Sequence, residues 1–286
     1  MAEQKQPVVR TAESTTGFKT QAKPQWEFGL AAAGLSVPAY PASAVSSERA
    51  FLVPWFIYRG DKVRLQDGGL KLIALENRRV TVDVSISGSL NANSEDTPLR
   101  QGMPDLDYLL ELGPKIDVRL WESESAASTD GVKGVGRINW STALRLAVST
   151  DFKSIRSRGP VLGTELRYKR DGLFGRQSFL SASASAYVVG EKLMDYFYQV
   201  DPAFVTEQRA VFDAKAGYIG SGLTLGLGHQ FNKDVSGFIG VRLALHGGAE
   251  NSDSPLFEDN TNTGIFGGVS WTIKESRKTI NVISDN

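Results

Sequence analysis

DLDYLLELGPKIDVRLW, from Asp105 to Trp121, separates into two chemical lists when every second residue is read. Leu106, Tyr108, Leu110, Leu112, Ile116, Val118 and Leu120 are apolar. Asp107, Glu111, Lys115, Asp117 and Arg119 are charged. Successive side chains of a strand point to opposite faces, so the stretch predicts a strand with one greasy and one charged face. It far exceeds the usual strand of about 5–6 residues. A strand crossing a bilayer needs about 9–11 residues, with lipid on one side and a polar lumen on the other.

Working outward, the same alternation recurs along most of the chain, broken by turn residues and almost never by a helical period. Val80, Val82, Val84 and Ile86 oppose Thr81, Asp83, Ser85 and Ser87. Ile138, Trp140, Leu144, Leu146 and Val148 oppose Asn139, Ser141 and Arg145. Leu162, Leu166 and Tyr168 oppose Glu165 and Arg167, and Ile239, Val241 and Leu243 oppose Arg242. Towards the N-terminus, Trp26, Phe28, Leu30 and Ala32 share one face, and Val53, Trp55 and Ile57 are expected on the apolar face of the next strand. SFLSASASAYVV, from Ser178, is a strand of small residues, and in GSGLTLGLG, from Gly220, leucines alternate with glycines.

About twelve strands are counted if Asp67 to Gly69 is a tight turn, with ten as the alternative. The expected fold is all-β: a closed antiparallel transmembrane barrel over residues 24–273. A disordered leader (residues 1–23) precedes it and a polar C-terminal tail (residues 274–286) follows it. With twelve strands the short connections fall at one end and the longer ones at the other, as in bacterial outer-membrane barrels, which puts both termini in the periplasm. Pro114 interrupts the key strand, and a bulge is expected there because proline donates no ladder hydrogen bond. A short helix is expected after Asp201-Pro202.

Composition narrows the function classes. The 286 residues carry no net charge, against the basic surface of a nucleic-acid binder, and no nucleic-acid partner is expected. Mean hydropathy is -0.20, and no apolar run of ~18 residues marks a membrane helix; a barrel strand, half polar, would not register this way. There are no cysteines, which removes disulfides and thiol chemistry. The first 23 residues have no apolar core, so an export signal is expected to have been removed already.

Candidate chemistry is sparse. His246, near an acidic loop with Glu250 and Asp253, and His229 are the two histidines available as acid or base. Both read more simply as ordinary barrel side chains. Asp253, Glu258 and Asp259 lack the ligand spacing of a calcium loop. Tyr196, Phe197 and Tyr198 read as an interfacial girdle or an inward plug. No catalytic residue, metal site or cofactor is expected. The charges expected to face the lumen are Asp83, Asp107, Glu111, Lys115, Asp117, Arg119, Arg145, Glu165, Arg167 and Arg242. Their mixed sign predicts a salt-bridged filling, with a small-solute path as the alternative.

Four stretches, in this order and spacing, resemble the MipA/OmpV family of Gram-negative outer-membrane proteins, the MltA-interacting proteins. They are FLVPWFIYRGDKVRLQDGGL from Phe51, DLDYLLELG from Asp105, MDYFYQVDPA with VFDAKAGY from Met194, and LHGGAENSDSPLFED from Leu245. The resemblance covers about Trp26 to Ile273. It implies an outer-membrane barrel without catalysis, in contact with lipid and lipopolysaccharide. It further implies a scaffold that brings a murein hydrolase, a lytic transglycosylase, to a penicillin-binding synthase. Small-solute channel and surface adhesin are the alternatives. For a scaffold, the long connection from Glu122 to Gly136 is the expected partner surface, with Glu122, Glu124, Asp130 and Lys133 exposed on it.

Overall fold

The computed structural model describes residues 20–59, 63–66, 69–72, 75–76, 79–123, 135–175 and 177–283. Ten long strands form one antiparallel sheet: β2 (Trp26–Pro38), β3 (Ser46–Arg59), β7 (Val80–Ser89), β8 (Tyr108–Glu122), β9 (Gly136–Thr150), β10 (Ile155–Asp171), β11 (Ser178–Val189), β12 (Gly217–Gln230), β13 (Val235–Leu245) and β14 (Thr261–Glu275). Three short segments, β4 (Val63–Gln66), β5 (Gly69–Leu72) and β6 (Leu75–Glu76), complete it, in the order β5-β4-β3-β2-β14-β13-β12-β11-β10-β9-β8-β7-β6. The two strands that the expected turn at Asp67 to Gly69 adds to the count are thus represented by short pieces. The sheet curls until its two ends approach each other, β5 beside β7. The remaining strands, β1 (Thr20–Pro24) and β15 (Thr279–Ile283), pair with each other as a separate two-stranded ribbon. They take in the end of the expected leader and part of the expected tail.

Alternation fixes the faces. On β9, Leu144 and Leu146 are 53% and 65% exposed, whereas Arg145 between them is 9% exposed. Leu110, Leu112 and Ile116 on β8, Leu162 and Leu166 on β10, and Leu223 and Leu225 on β12 continue the exposed apolar belt. Charges and small residues occupy the concave side. No helix among the described residues is long and apolar enough to cross a membrane, which leaves crossing by strands open.

Three local expectations are corrected. No bulge occurs at Pro114: it pairs with Val84 on β7, and the β8–β9 register is the same on both sides of it. The missing donor leaves a gap in that ladder at Gly113 and Pro114. Gly113 allows it, because a side chain there would collide with the backbone carbonyl of Leu144. The bulge falls instead between Arg119 and Trp121, so Leu120 and Trp121 both end up exposed. On β3 the facing is reversed. Leu52 and Phe56 are exposed, while Trp55 turns inward over Gly29, where no side chain would fit beside its ring; Ile57 is half-buried on the same side as Trp55, and of the three expected apolar-face residues Val53 alone is exposed. The helix lies earlier than expected: α1 (Glu191–Tyr198) precedes Asp201-Pro202, and Pro202–Phe204 forms one 3-10 turn.

The main apolar core is not inside the sheet but across one end. Leu193, Met194, Phe197 and Tyr198 lie on one face of α1 and pack with Tyr40, Leu106, Val200 and Leu256. These residues come from the connections β2–β3, β7–β8, β11–β12 and β13–β14, so four loops form a single cap. Leu106, expected on the lipid face of the key strand, is 3% exposed here, because β8 begins only at Tyr108. Truncating Met194, which is fully buried, to Ala is expected to cost about 2–5 kcal/mol. Limited proteolysis should then cut the cap between residues 190 and 216 well before the sheet.

The capped interior as candidate functional site

Backbone carbonyls and a few charged side chains clasp the cap loops together. Arg100 Nη1 donates to the Phe197 carbonyl at 3.1 Å, and Arg209 Nη1 donates to the Leu99 and Gln101 carbonyls at 2.6 and 3.1 Å. Both guanidiniums are buried. Glu258 accepts from Ser43 Oγ and the Ala44 amide at 3.2 and 3.0 Å, with Tyr40 Oη 3.2 Å away, so this acidic-loop carboxylate is a structural tie. Tyr198 Oη donates to the Pro41 carbonyl at 3.0 Å and Ser254 Oγ to the Tyr198 carbonyl at 2.8 Å. A bulge at Ser157–Gly159, with Gly159 in the left-handed region, lets Arg158 lie over the Tyr196 ring, 3.8 Å from its centroid. Tyr196, Phe197 and Tyr198 therefore form a plug, and the basic stretch before Pro160 is part of β10.

Most of the predicted lumen charges are brought together in short groups. Arg145 Nε donates to Glu111 Oε2 at 2.8 Å, a diagonal contact between β8 and β9, and its Nη1 reaches Ser85 Oγ at 3.2 Å. Lys115 lies 2.7 Å from Asp117 and 3.6 Å from Asp83, which is almost fully buried. Glu165 and Arg167 pair at 2.6 Å, with the guanidinium largely exposed. Arg119 pairs with Glu122 at 2.8 Å, and Arg137 approaches Glu122 from β9 at 3.7 Å. Asp107 stands apart, in the cap, where its carbonyl accepts from Tyr196 Oη at 3.0 Å. Arg242 has no hydrogen-bond or ion-pair partner among the described residues. Of the expected partner surface, Glu122 is exposed; Glu124, Asp130 and Lys133 lie outside the described residues.

The histidines take ordinary places. His246 is buried, its Nδ1 donates to the Ile219 carbonyl at 2.9 Å, and the Ala42 amide donates to its Nε2 at 3.3 Å. Both nitrogens are engaged without a carboxylate, so the Glu250 or Asp253 pairing an acid–base site would use is not formed. His229 is exposed, edge-on to Phe231 at 5.2 Å. Among the described residues no group of three or more potential metal ligands occurs.

A half-enclosed cavity of about 430 Å³ lies between cap and ion pairs. Leu193, Phe197 and Tyr40 roof it, and Glu111, Arg145 and Arg242 lie on its wall. Sequence reading finds these charges by their alternation but not the cavity, which needs the loops to fold inward. Nor does it find Arg100, Arg209 and Glu258 as ties; each reads as an ordinary solvated loop charge.

Two expected outcomes test this geometry. Burial and Asp107 push the Tyr196 phenol up to about 12, and burial raises Tyr40 and Tyr198 further. The ordinary phenol value is about 10, so the fold holds these groups protonated. Their contribution to stability is complete below pH about 10 and falls as pH rises towards the folded values. The cap should therefore loosen above pH about 10 while the strands persist, as read by phenolate absorbance against far-ultraviolet circular dichroism. Arg145→Leu, which strands the mostly buried Glu111 carboxylate, should cost about 3–5 kcal/mol in denaturant titration in detergent. The double variant E111L/R145L should recover most of that loss.

The chain is similar to one family of known proteins and, distantly, to several solved structures. The family described as MltA-interacting protein MipA matches residues 30–273. No curated protein matches the chain in sequence. Among solved structures, the NanC porin is 9% identical with a TM-score of 0.38, covering 86% of this chain and 98% of the porin. A bacterial polysaccharide outer membrane secretin is 8% identical at 0.39, covering 87% and 99%. An outer membrane channel from Pseudomonas putida F1 is 11% identical at 0.37, covering 91% and 100%. Such distant likenesses carry no functional argument. The match over most of the chain, on a curled all-β sheet belted by exposed leucine, isoleucine and tryptophan, identifies the chain as a member of the MipA family and an outer-membrane β-barrel protein.

Proposed function

We propose that this protein is a non-enzymatic scaffold: a closed barrel with both termini in the periplasm and its charged concave side as the lumen. Its periplasmic face brings a lytic transglycosylase to a penicillin-binding synthase, and its belt contacts lipid and lipopolysaccharide. The observation that carries this reading is the stoppered interior. One end is covered by a packed apolar core, and the strands below it carry paired charges, which favours work done at the surfaces. The family's description as MltA-interacting supports a murein-hydrolase partner. The β1–β15 ribbon and the strand ends Glu122 and Gly136 lie at the end opposite the cap, which favours that end as the partner face.

Deleting residues 124–134 should abolish capture of a lytic transglycosylase by the immobilised protein. Heat-modifiable electrophoretic migration should stay unchanged, since the deletion spares all ten long strands; undiminished capture would remove this surface from the scaffold. The cavity beneath the cap supports a second reading, a small-solute channel. In planar bilayers the scaffold reading expects no steady conductance, and a stable, selective open level would decide for the channel.

A further inference from the structure

We propose that the cavity under the cap is a binding site for a small monocarboxylate with an apolar body, its carboxylate held by Arg242. Two guanidiniums and one carboxylate lie on the cavity wall. Arg145 is already committed to Glu111 and Ser85. Arg242 has no such partner among the described residues, so the wall carries one uncompensated positive charge.

The position of Arg242 is built rather than incidental. A β-carbon at Gly222 on β12 would sit 2.9 Å from Arg242 Nη2. The glycine lets the guanidinium lie against the strand backbone while the side chain still lines the cavity. A planar guanidinium presents parallel donors that match one carboxylate in two-point contact. One excess charge balances one carboxylate; a phosphate dianion would overshoot it.

The remaining wall defines the rest of the ligand. Leu35, Leu109, Leu193 and Phe197 give it an apolar upper half. Two of the larger polar groups nearby are in use: Tyr40 Oη donates to the Leu256 carbonyl at 2.8 Å, and His246 is held at both nitrogens; the others on the wall, Ser87, Ser89, Asn91 and Ser221 among them, carry no charge. Small-molecule sites are typically cavities of about 300–1,000 Å³, mostly apolar, with a few placed polar groups. A cavity of about 430 Å³ with one free guanidinium fits that description.

The test uses the full chain in detergent and follows benzoate by ligand-observed NMR, with benzamide as the uncharged control. Saturable benzoate binding is expected. Arg242→Gln should weaken it by about tenfold or more, the worth of a charge-assisted hydrogen bond, and Arg242→Lys by less. Ala244→Leu, which fills the cavity without touching an ion pair, should also abolish it and decides the matter if Arg242→Gln does not fold. Four results would overturn the proposal: no saturable benzoate binding, benzamide binding as well as benzoate, undiminished binding in a folded Arg242→Gln or Ala244→Leu variant, or inorganic phosphate displacing benzoate at lower concentration. The measurement needs neither a partner enzyme nor conductance, so its failure leaves the scaffold reading intact.

Discussion

In hydrocarbon a backbone amide or carbonyl without a partner costs several kcal/mol, so a membrane-crossing sheet must pair nearly every one of them within itself. That constraint explains why the long strands pair antiparallel with their neighbours, broken only by a few bulges and one gap among the described residues, and why the sheet curls until its ends approach. It also explains the treatment of Pro114. An extra residue would have flipped the facing of everything after it, including Lys115, Asp117 and Arg119. The gap costs one ladder bond and keeps the charges on the concave side. The shift is deferred to Leu120, at the end of the strand, where exposing Leu120 and Trp121 together does no harm.

The concave side answers a second demand. Charges turned away from the belt must be matched, and the strands place acids and bases diagonally or two residues apart so that most are. Small residues set where space remains. Gly222 seats Arg242, Gly228 makes room for the Phe179 ring, and Gly29 for Trp55. Serine and glycine at Ser87, Gly88, Gly220 and Gly264 keep the upper interior open below the cap. The cap closes that space with an apolar core made of loops folded inward over one end.

Period-two alternation is a local property, and what depends on it was legible. The sheet, the belt, and the turning of Glu111 and Arg145 to the side away from the belt follow from counting residues along single strands; their pairing needs the register between β8 and β9. Errors arose where a distant neighbour decides. Trp55 and Ile57 look like lipid-facing residues in FLVPWFIYR, but Gly29 on the next strand admits the Trp55 ring, and Leu52 and Phe56 take the outside. Leu106 keeps the rhythm of its strand yet belongs to the cap. The helix before Asp201 has its apolar face in Leu193, Met194, Phe197 and Tyr198, a spacing hidden by the run of aromatics. Buried arginines cannot be told from solvated ones when their partners are carbonyls of remote loops.

The ribbon of β1 and β15 has a mechanical meaning. Its register sets Thr20 opposite Ile283 and Pro24 opposite Thr279, so the outermost pair is the one nearest both chain ends. A pull that separates the ends loads this pair first and opens the ribbon one rung at a time, as a zipper opens, instead of shearing all rungs together. The ribbon is thus a soft latch between the barrel and whatever its ends are tied to. Tension on the ends would open the ribbon before it strained the wall, lengthening the tether while the embedded sheet stayed in place.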